Sequence, residues 1–164
     1  MKPVMDEYPV TMAVRELRRL SIPFQPCLYP YEEHGGTAVA SKSLGVAEHE
    51  VIKTLVFRTD TGTPFMVLMH GDLEASPKKL AREMGVNRVE LCDAETARRH
   101  TGYIFGGTSP LGTRSPLQVL AERTIFELPS ILINGGKQGF LLRMDPRDLK
   151  KALSIREADA AAAH

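Results

Sequence analysis

Apolar and polar positions along this chain recur with two different periods, and the switches between them divide it into elements. From Met12 to Leu20 the apolar residues Met12, Val14, Leu17 and Leu20 fall on one side of a helix, Arg15, Arg18 and Arg19 lie elsewhere on it, and Thr11 is placed to cap its first turn. The stretch Ile22 to Tyr31 is interrupted by Pro23, Pro26 and Pro30, which lack ladder donors and confine it to a sheet edge or a bulge. A short helix follows Thr37 and stops near Gly45. Two dense apolar runs, Ile52 to Arg58 and Phe65 to Met69, flank Thr59-Asp60-Thr61-Gly62 and predict a buried hairpin at the centre of a sheet.

Ser76-Pro77 supplies a cap and a first-turn proline for a helix that ends at Gly85, with Leu80 and Met84 inward. A short strand follows near Val89, and Asp93 caps a further helix through His100. Leu117 to Leu120, Ile131 to Ile133 and Phe140 to Met144 read as strands, and Asp145-Pro146 opens a last helix to Leu153. The segment from Ser154 to His164 is alanine-rich and lacks a partner face, which predicts a frayed tail after a domain of residues 1–153. Strands and helices are intermixed without regular alternation, so the expected class is a single α+β domain.

Composition narrows the function classes. With 164 residues, 43% of them hydrophobic and 25% charged, the chain has the make-up of one globular domain. No apolar run approaches the roughly 20 residues of a membrane span. Met1 to Pro9 carries Asp6 and Glu7 without an apolar core, which argues against a secretory signal and for a cytoplasmic location. The 21 basic and 20 acidic residues nearly cancel, unlike a protein that grips long DNA or RNA, although a local patch would suffice for a small RNA end. Cys27 and Cys92 are too far apart for a redox pair or a metal knuckle, and the five histidines show no ligand spacing, so neither a metal nor another cofactor is expected.

Two features carry candidate chemistry. Residues 101 to 112, T-G-Y-I-F-G-G-T-S-P-L-G, hold four glycines and a proline. Such a loop either connects a helix to a strand or turns its backbone toward a ligand, with the N–H groups of Gly106 and Gly107 free to meet an oxygen. Lys53 lies in the most hydrophobic strand. It either guards a sheet edge with its head in water or offers a charge-assisted donor inside a cleft. Ser109 has no nucleophile elbow around it and reads as a turn hydroxyl, and no serine, histidine and acid stand in triad order.

The runs Val51-Ile52-Lys53-Thr54-Leu55-Val56, Gly106-Gly107-Thr108-Ser109-Pro110-Leu111-Gly112 and Asn134-Gly135-Gly136-Lys137-Gln138-Gly139 resemble successive motifs of the YbaK/EbsC family. These are free-standing relatives of the editing domain inserted in bacterial prolyl-tRNA synthetases. The resemblance extends from about residue 11 to residue 153. It implies a mixed, strongly curved sheet of six or seven strands, partly closed into a barrel and flanked by helices. It also implies an aminoacyl-tRNA deacylase, acting most naturally on tRNA for proline that carries cysteine or alanine, with a prolyl-tRNA synthetase as a candidate partner.

Residue by residue, Lys53 matches the family's essential lysine and Thr54 a pocket residue beside it. Gly106 to Pro110, including Gly107, Thr108 and Ser109, match the G-x-x-x-P loop that embraces the terminal adenosine and the ester. Tyr29, or Tyr31 two residues on, matches a tyrosine that lines the aminoacyl pocket. Asn134, followed by Gly135, stands where cysteine-specific members have serine, and Leu141 where some have an acid. In the family, attack comes from a water or from the substrate's own thiol. Lys137 is a candidate phosphate contact in a glycine turn. A binding module that holds a tRNA end or a synthetase without catalysis remains the rival reading, and a small-molecule esterase would lack a nucleophile.

Overall fold

The computed structural model describes residues 7–163; of the amino-terminal stretch weighed above as a secretory signal, residues 1–6 lie outside that range. The centre of the sheet is the hairpin of β2 (Val51–Thr59) and β3 (Pro64–His70), paired antiparallel from Ile52 opposite His70 to Arg58 opposite Pro64. Strands added on either side give the order β1-β7-β6-β2-β3-β5-β8, with β1 Gln25–Leu28, β5 Gln118–Glu122, β6 Ile131–Lys137, β7 Phe140–Met144 and β8 Ile155–Ala158. A short β4 (Val89–Leu91) pairs with the far end of β2. Parallel and antiparallel ladders are mixed, as an α+β domain requires.

The expected six or seven strands are eight, and the ladder is not closed: β1 and β8 end the order on opposite sides. The proline-broken β1 is the edge strand its sequence demanded, held by β7 alone. The hairpin strands read as continuous apolar runs because both faces of the sheet are covered. On one face Ile52, Val56, Met66 and Leu68 join Ala13, Val14 and Leu17 of α1 (Met12–Arg19) in the main core. On the other, Phe57, Phe65, Val67 and Met69 pack with Leu80 and Ala81 of α3 (Pro77–Met84). A third, smaller cluster joins Ala40 of α2 (Gly36–Leu44) to Val51, Leu132 and Leu141.

The helix signals hold locally. Thr11, Ser76 and Asp93 each accept from a first-turn N–H, capping α1, α3 and α4 (Ala94–Thr101), and Gly45 and Gly85 end α2 and α3 in left-handed conformation. The last helix is shorter than predicted, α5 (Leu149–Ala152) after one 3-10 turn. No helix among the described residues is long and apolar enough to cross a membrane.

The frayed tail is corrected. β8 pairs parallel with β5, from Val119 opposite Ile155 to Glu122 opposite Ala158, and Ala160 is fully buried. Ala160 then accepts from the Ser76 N–H at 2.8 Å, and the Ala162 N–H donates to the Glu74 carbonyl at 2.8 Å. The partner that the alanine-rich segment lacks in its own sequence is a buried carboxylate. Glu122 Oε1 accepts the N–H groups of Ala160 at 2.9 Å and Ala161 at 3.1 Å.

That carboxylate belongs to a polar cluster within the fold. Glu122 Oε2 accepts from the Thr124 hydroxyl at 2.8 Å, and Thr124 Oγ1 lies 2.7 Å from Nε2 of the buried His70. His70 Nδ1 donates to the His49 carbonyl at 2.7 Å, and the His49 ring stacks on His70 at 3.7 Å while bonding Asp72. Burial holds the His70 imidazole below its ordinary 6.5. For Glu122, burial works to raise the carboxyl, but the four hydrogen bonds from Ala160, Thr124 and Ala161 outweigh it and lower it.

Both shifts act in one direction, because the unfolded chain takes up protons that the folded one resists. Folding stability is therefore present above pH 6.5 and declines as the pH falls below that value. Thermal melts followed by circular dichroism at pH 7.5 and about pH 5 should show the decline, and His70→Gln should flatten it. Glu122→Ala, which orphans the two tail amides, is expected to cost about 2 kcal/mol.

Candidate active site

β2 has a complete partner on one side only. Along its other edge β6 pairs with Val51 and Ile52, β4 pairs with Phe57, Arg58 and Thr59, and among the described residues no strand lies beside Lys53, Thr54 and Leu55. A cleft of about 400 Å³ opens at this gap and reaches both faces of the strand, so five consecutive residues, Val51 to Leu55, line it.

β6 leaves β2 because it bulges between Asn134 and Lys137. The bulge is closed by the Asn134 side chain, whose Oδ1 accepts from the N–H of Gly136 at 2.7 Å and of Lys137 at 3.2 Å. Its Nδ2 donates across the cleft mouth to the Gly106 carbonyl at 3.1 Å. Gln138 Nε2 makes a parallel tie to the Phe105 carbonyl at 2.8 Å. The glycine loop is thereby fixed to the β6–β7 turn. Gly107 is required at that contact, since a Cβ there would lie 2.9 Å from the Gln138 nitrogen and 3.0 Å from the Lys137 carbonyl carbon. Gly106 takes a positive φ of 84° with the Tyr31 hydroxyl against it.

Of the residues singled out in the sequence, Lys53, Thr54, Tyr29, Gly106, Thr108 and Asn134 line the cleft together. Gly107, Ser109, Pro110 and Gly135 stand behind it. The Gly107 N–H, expected to be free for a ligand, donates instead to the Ile104 carbonyl at 2.9 Å. Among the described residues the N–H groups of Gly106 and Thr108 have no acceptor. Ser109 is fully buried and its hydroxyl accepts from the Leu111 N–H at 3.2 Å, the turn role its sequence context indicated. Gly135 packs on Phe140 and Leu142, and its carbonyl accepts from the Thr11 hydroxyl.

The Lys53 ammonium lies 3.6 Å from Glu74, a pair of which the carboxylate is 84% exposed and the lysine side chain only 21%. Such a solvent-screened contact contributes little and exchanges readily for another anion. Among the described residues the buried Thr54 hydroxyl has no hydrogen-bond partner, an unusual state for a buried polar atom. Tyr29 and Tyr31 both line the cleft, so the two-residue ambiguity is one of rank rather than of location. Burial first, and then the neighbouring Tyr31, push the Tyr29 phenol upward. Burial likewise raises the Cys27 thiol. Neither supplies a ready nucleophile.

Sequence reading passed over His34, Thr37, Ala40 and Phe105, which complete the lining. His34 takes a left-handed φ of 63°, a conformation uncommon outside glycine. The signal that could have flagged it is the adjacent Gly35-Gly36 pair, which marks a sharp turn into α2. Among the described residues no group of three or more histidine, cysteine or acidic side chains is placed to hold a metal ion.

The family model for the aminoacyl-tRNA editing domain matches residues 32–152, which include β2, the glycine loop and the β6–β7 turn. The chain belongs to the aminoacyl-tRNA editing domain family. A curated relative is EbsC of Enterococcus faecalis, named as a candidate Cys-tRNA(Pro)/Cys-tRNA(Cys) deacylase, 27% identical over 137 residues that make up 83% of this chain and 84% of that protein. The proline--tRNA ligase of Streptococcus equi subsp. equi is 32% identical over 99 residues, 60% of this chain but 16% of the ligase. A solved structure described as a candidate trans-editing enzyme for prolyl tRNA synthetase superposes with a TM-score of 0.83 over 99% of both chains at 21% identity, a likeness of fold. In this editing domain the candidate site is thus a pinned loop facing a free strand edge. Gly107→Ala should break that pinning and cost roughly 1 to 3 kcal/mol, measured by chemical denaturation, with faster amide exchange confined to the loop and the β6–β7 turn.

Proposed function

We propose that this protein is a trans-acting aminoacyl-tRNA deacylase that hydrolyses the ester of mischarged tRNA, with Cys-tRNA(Pro) or Ala-tRNA(Pro) as substrate. The observation that carries the reading is Lys53, beside the buried Thr54 hydroxyl that has no partner among the described residues, on a stretch of β2 where no described strand covers the open edge. A cation at a cleft whose lining includes no serine or cysteine fits a reaction governed by positioning. Membership of the editing family and the names borne by its relatives support the same chemistry.

In this reading the terminal adenosine and its ester enter the cleft, and Lys53 exchanges Glu74 for an oxygen of the substrate. Charge that develops on the ester carbonyl oxygen is met by fixed donors, the lysine and the unpaired N–H groups of Gly106 and Thr108. Attack falls to a water or, for a cysteinyl ester, to the substrate thiol. The apolar wall of Val51, Ile52, Leu55 and Leu141 limits access of bulk water and sets the room left for the amino-acid side chain. Discrimination between side chains that differ by a methylene is worth about 1 to 3 kcal/mol. A near-neutral protein of this size has little charge with which to select a whole tRNA, so the reading includes a prolyl-tRNA synthetase as a partner that supplies the choice.

Single-turnover deacylation of tRNA for proline carrying cysteine, alanine, serine or proline tests the proposal. Wild type should release one wrong amino acid rapidly, and Lys53→Ala should lower that rate about 100-fold or more, the scale of losing one transition-state donor. No acceleration for any member, with tRNA binding intact, would leave a binding module in place of an enzyme.

A further inference from the structure

A second groove continues from the cleft. Tyr29 lines both cavities, and past it a shallower channel of about 440 Å³ runs between Leu28 and Pro30 on one side and Lys137 and Gln138 on the other. The Gln138 side chain, through its bond to the Phe105 carbonyl, ties this channel to the rim of the cleft.

That rim holds large apolar side chains in water. Phe105 is 71% exposed, Ile104 beside it 52%, and Leu28 across the channel 53%. Their exposure is built into the backbone, since Ile104 and Phe105 each have a carbonyl engaged, by the Gly107 N–H and by Gln138. Fixed, solvent-facing apolar groups around a cavity mark a surface meant to be covered. Lys137 stands within this frame and, like Lys42 and Lys78 but unlike Lys53, Lys79, Lys150 and Lys151, has no acidic partner among the described residues.

An exposed aromatic side chain on the rim of the cleft and a lysine in the adjoining groove, joined through Gln138, fit a single strand of nucleotides. Every nucleobase has a π-face to stack, and every linkage carries one negative charge. A protein partner would require a broad complementary surface of about 800 Å², whereas this is a strip that leads into a cleft. We propose that the Phe105 rim and the Tyr29–Lys137 channel form a binding track for the unpaired nucleotides that precede the 3′-terminal one, with Phe105 stacking on a base and Lys137 holding a phosphate. The inference deepens the deacylase reading and rests on it for what occupies the cleft.

The test uses two uncharged RNA hairpins, one with a single-stranded 3′ end of several nucleotides and one trimmed to a single unpaired nucleotide. Their Kd values are measured by fluorescence anisotropy for wild type, Phe105→Ala, Phe105→Trp and Lys137→Gln over a range of salt. Single-turnover deacylation at saturating RNA is run beside them. Phe105→Ala should weaken binding of the long-ended hairpin by roughly 5- to 100-fold, the range for loss of one stacked base, and Phe105→Trp should restore it. Lys137→Gln should reduce the slope of log K against log salt by about 0.7.

For the trimmed hairpin the differences between the four proteins should be much smaller than for the long-ended one. Equal binding of the long-ended hairpin by wild type and Phe105→Ala would overturn the track, and if wild type still deacylates, the deacylase reading stands without it. Binding that depends on Phe105 in a protein that deacylates nothing would do the reverse.

Discussion

The free edge of β2 from Lys53 to Leu55 is the constraint around which this molecule is arranged. A central strand whose backbone is left unpaired for three residues would ordinarily be an opening for water or for another chain. Here the sheet diverges on purpose, because β6 bulges away at Asn134 and β4 takes over the ladder further on. The consequence is a cavity whose floor is a rigid strand instead of a loop. Residues on both faces of that strand reach the same space, which is how Lys53 and Thr54, neighbours in sequence and opposite in direction, come to serve one site.

The opposite wall is made of flexible residue types that have been immobilised. Asn134 uses both ends of its amide, one to close the bulge and one to hold the Gly106 carbonyl, so the shape of β6 and the position of the glycine loop are a single variable. Gln138 repeats the device one residue along the loop. Donors aimed at a transient charge are useful only if they need no reorganisation when it appears. A loop fixed by side-chain amides meets that condition.

The far end of the sheet contributes differently. The carboxy-terminal segment docks on Glu122 and pairs with residues 74 to 76, which follow β3. Glu74, whose carboxylate meets Lys53, therefore has its own backbone held by the last residues of the chain. A hydrogen-bonded cluster of Glu122, Thr124 and His70 anchors this arrangement inside the protein. The editing-family match ends at residue 152, so this strap lies outside the part of the chain that the family defines.

What the sequence determined by itself was everything that depends on neighbours along the chain. Thr11, Ser76 and Asp93 cap their helices because a side chain three residues away decides it, the prolines confine β1 to an edge, and two apolar runs around Thr59-Asp60-Thr61-Gly62 make the central hairpin. Lys53, Thr54, Gly106 and Asn134 were candidates through motif resemblance, and they line one cleft. Only the tertiary structure decided which backbone groups remain free. The alanine-rich tail finds an acceptor in Glu122, and the Gly106 carbonyl finds a donor in Asn134. Hydrogen-bond satisfaction is a property of distant partners, and a local pattern carries no record of who those partners are.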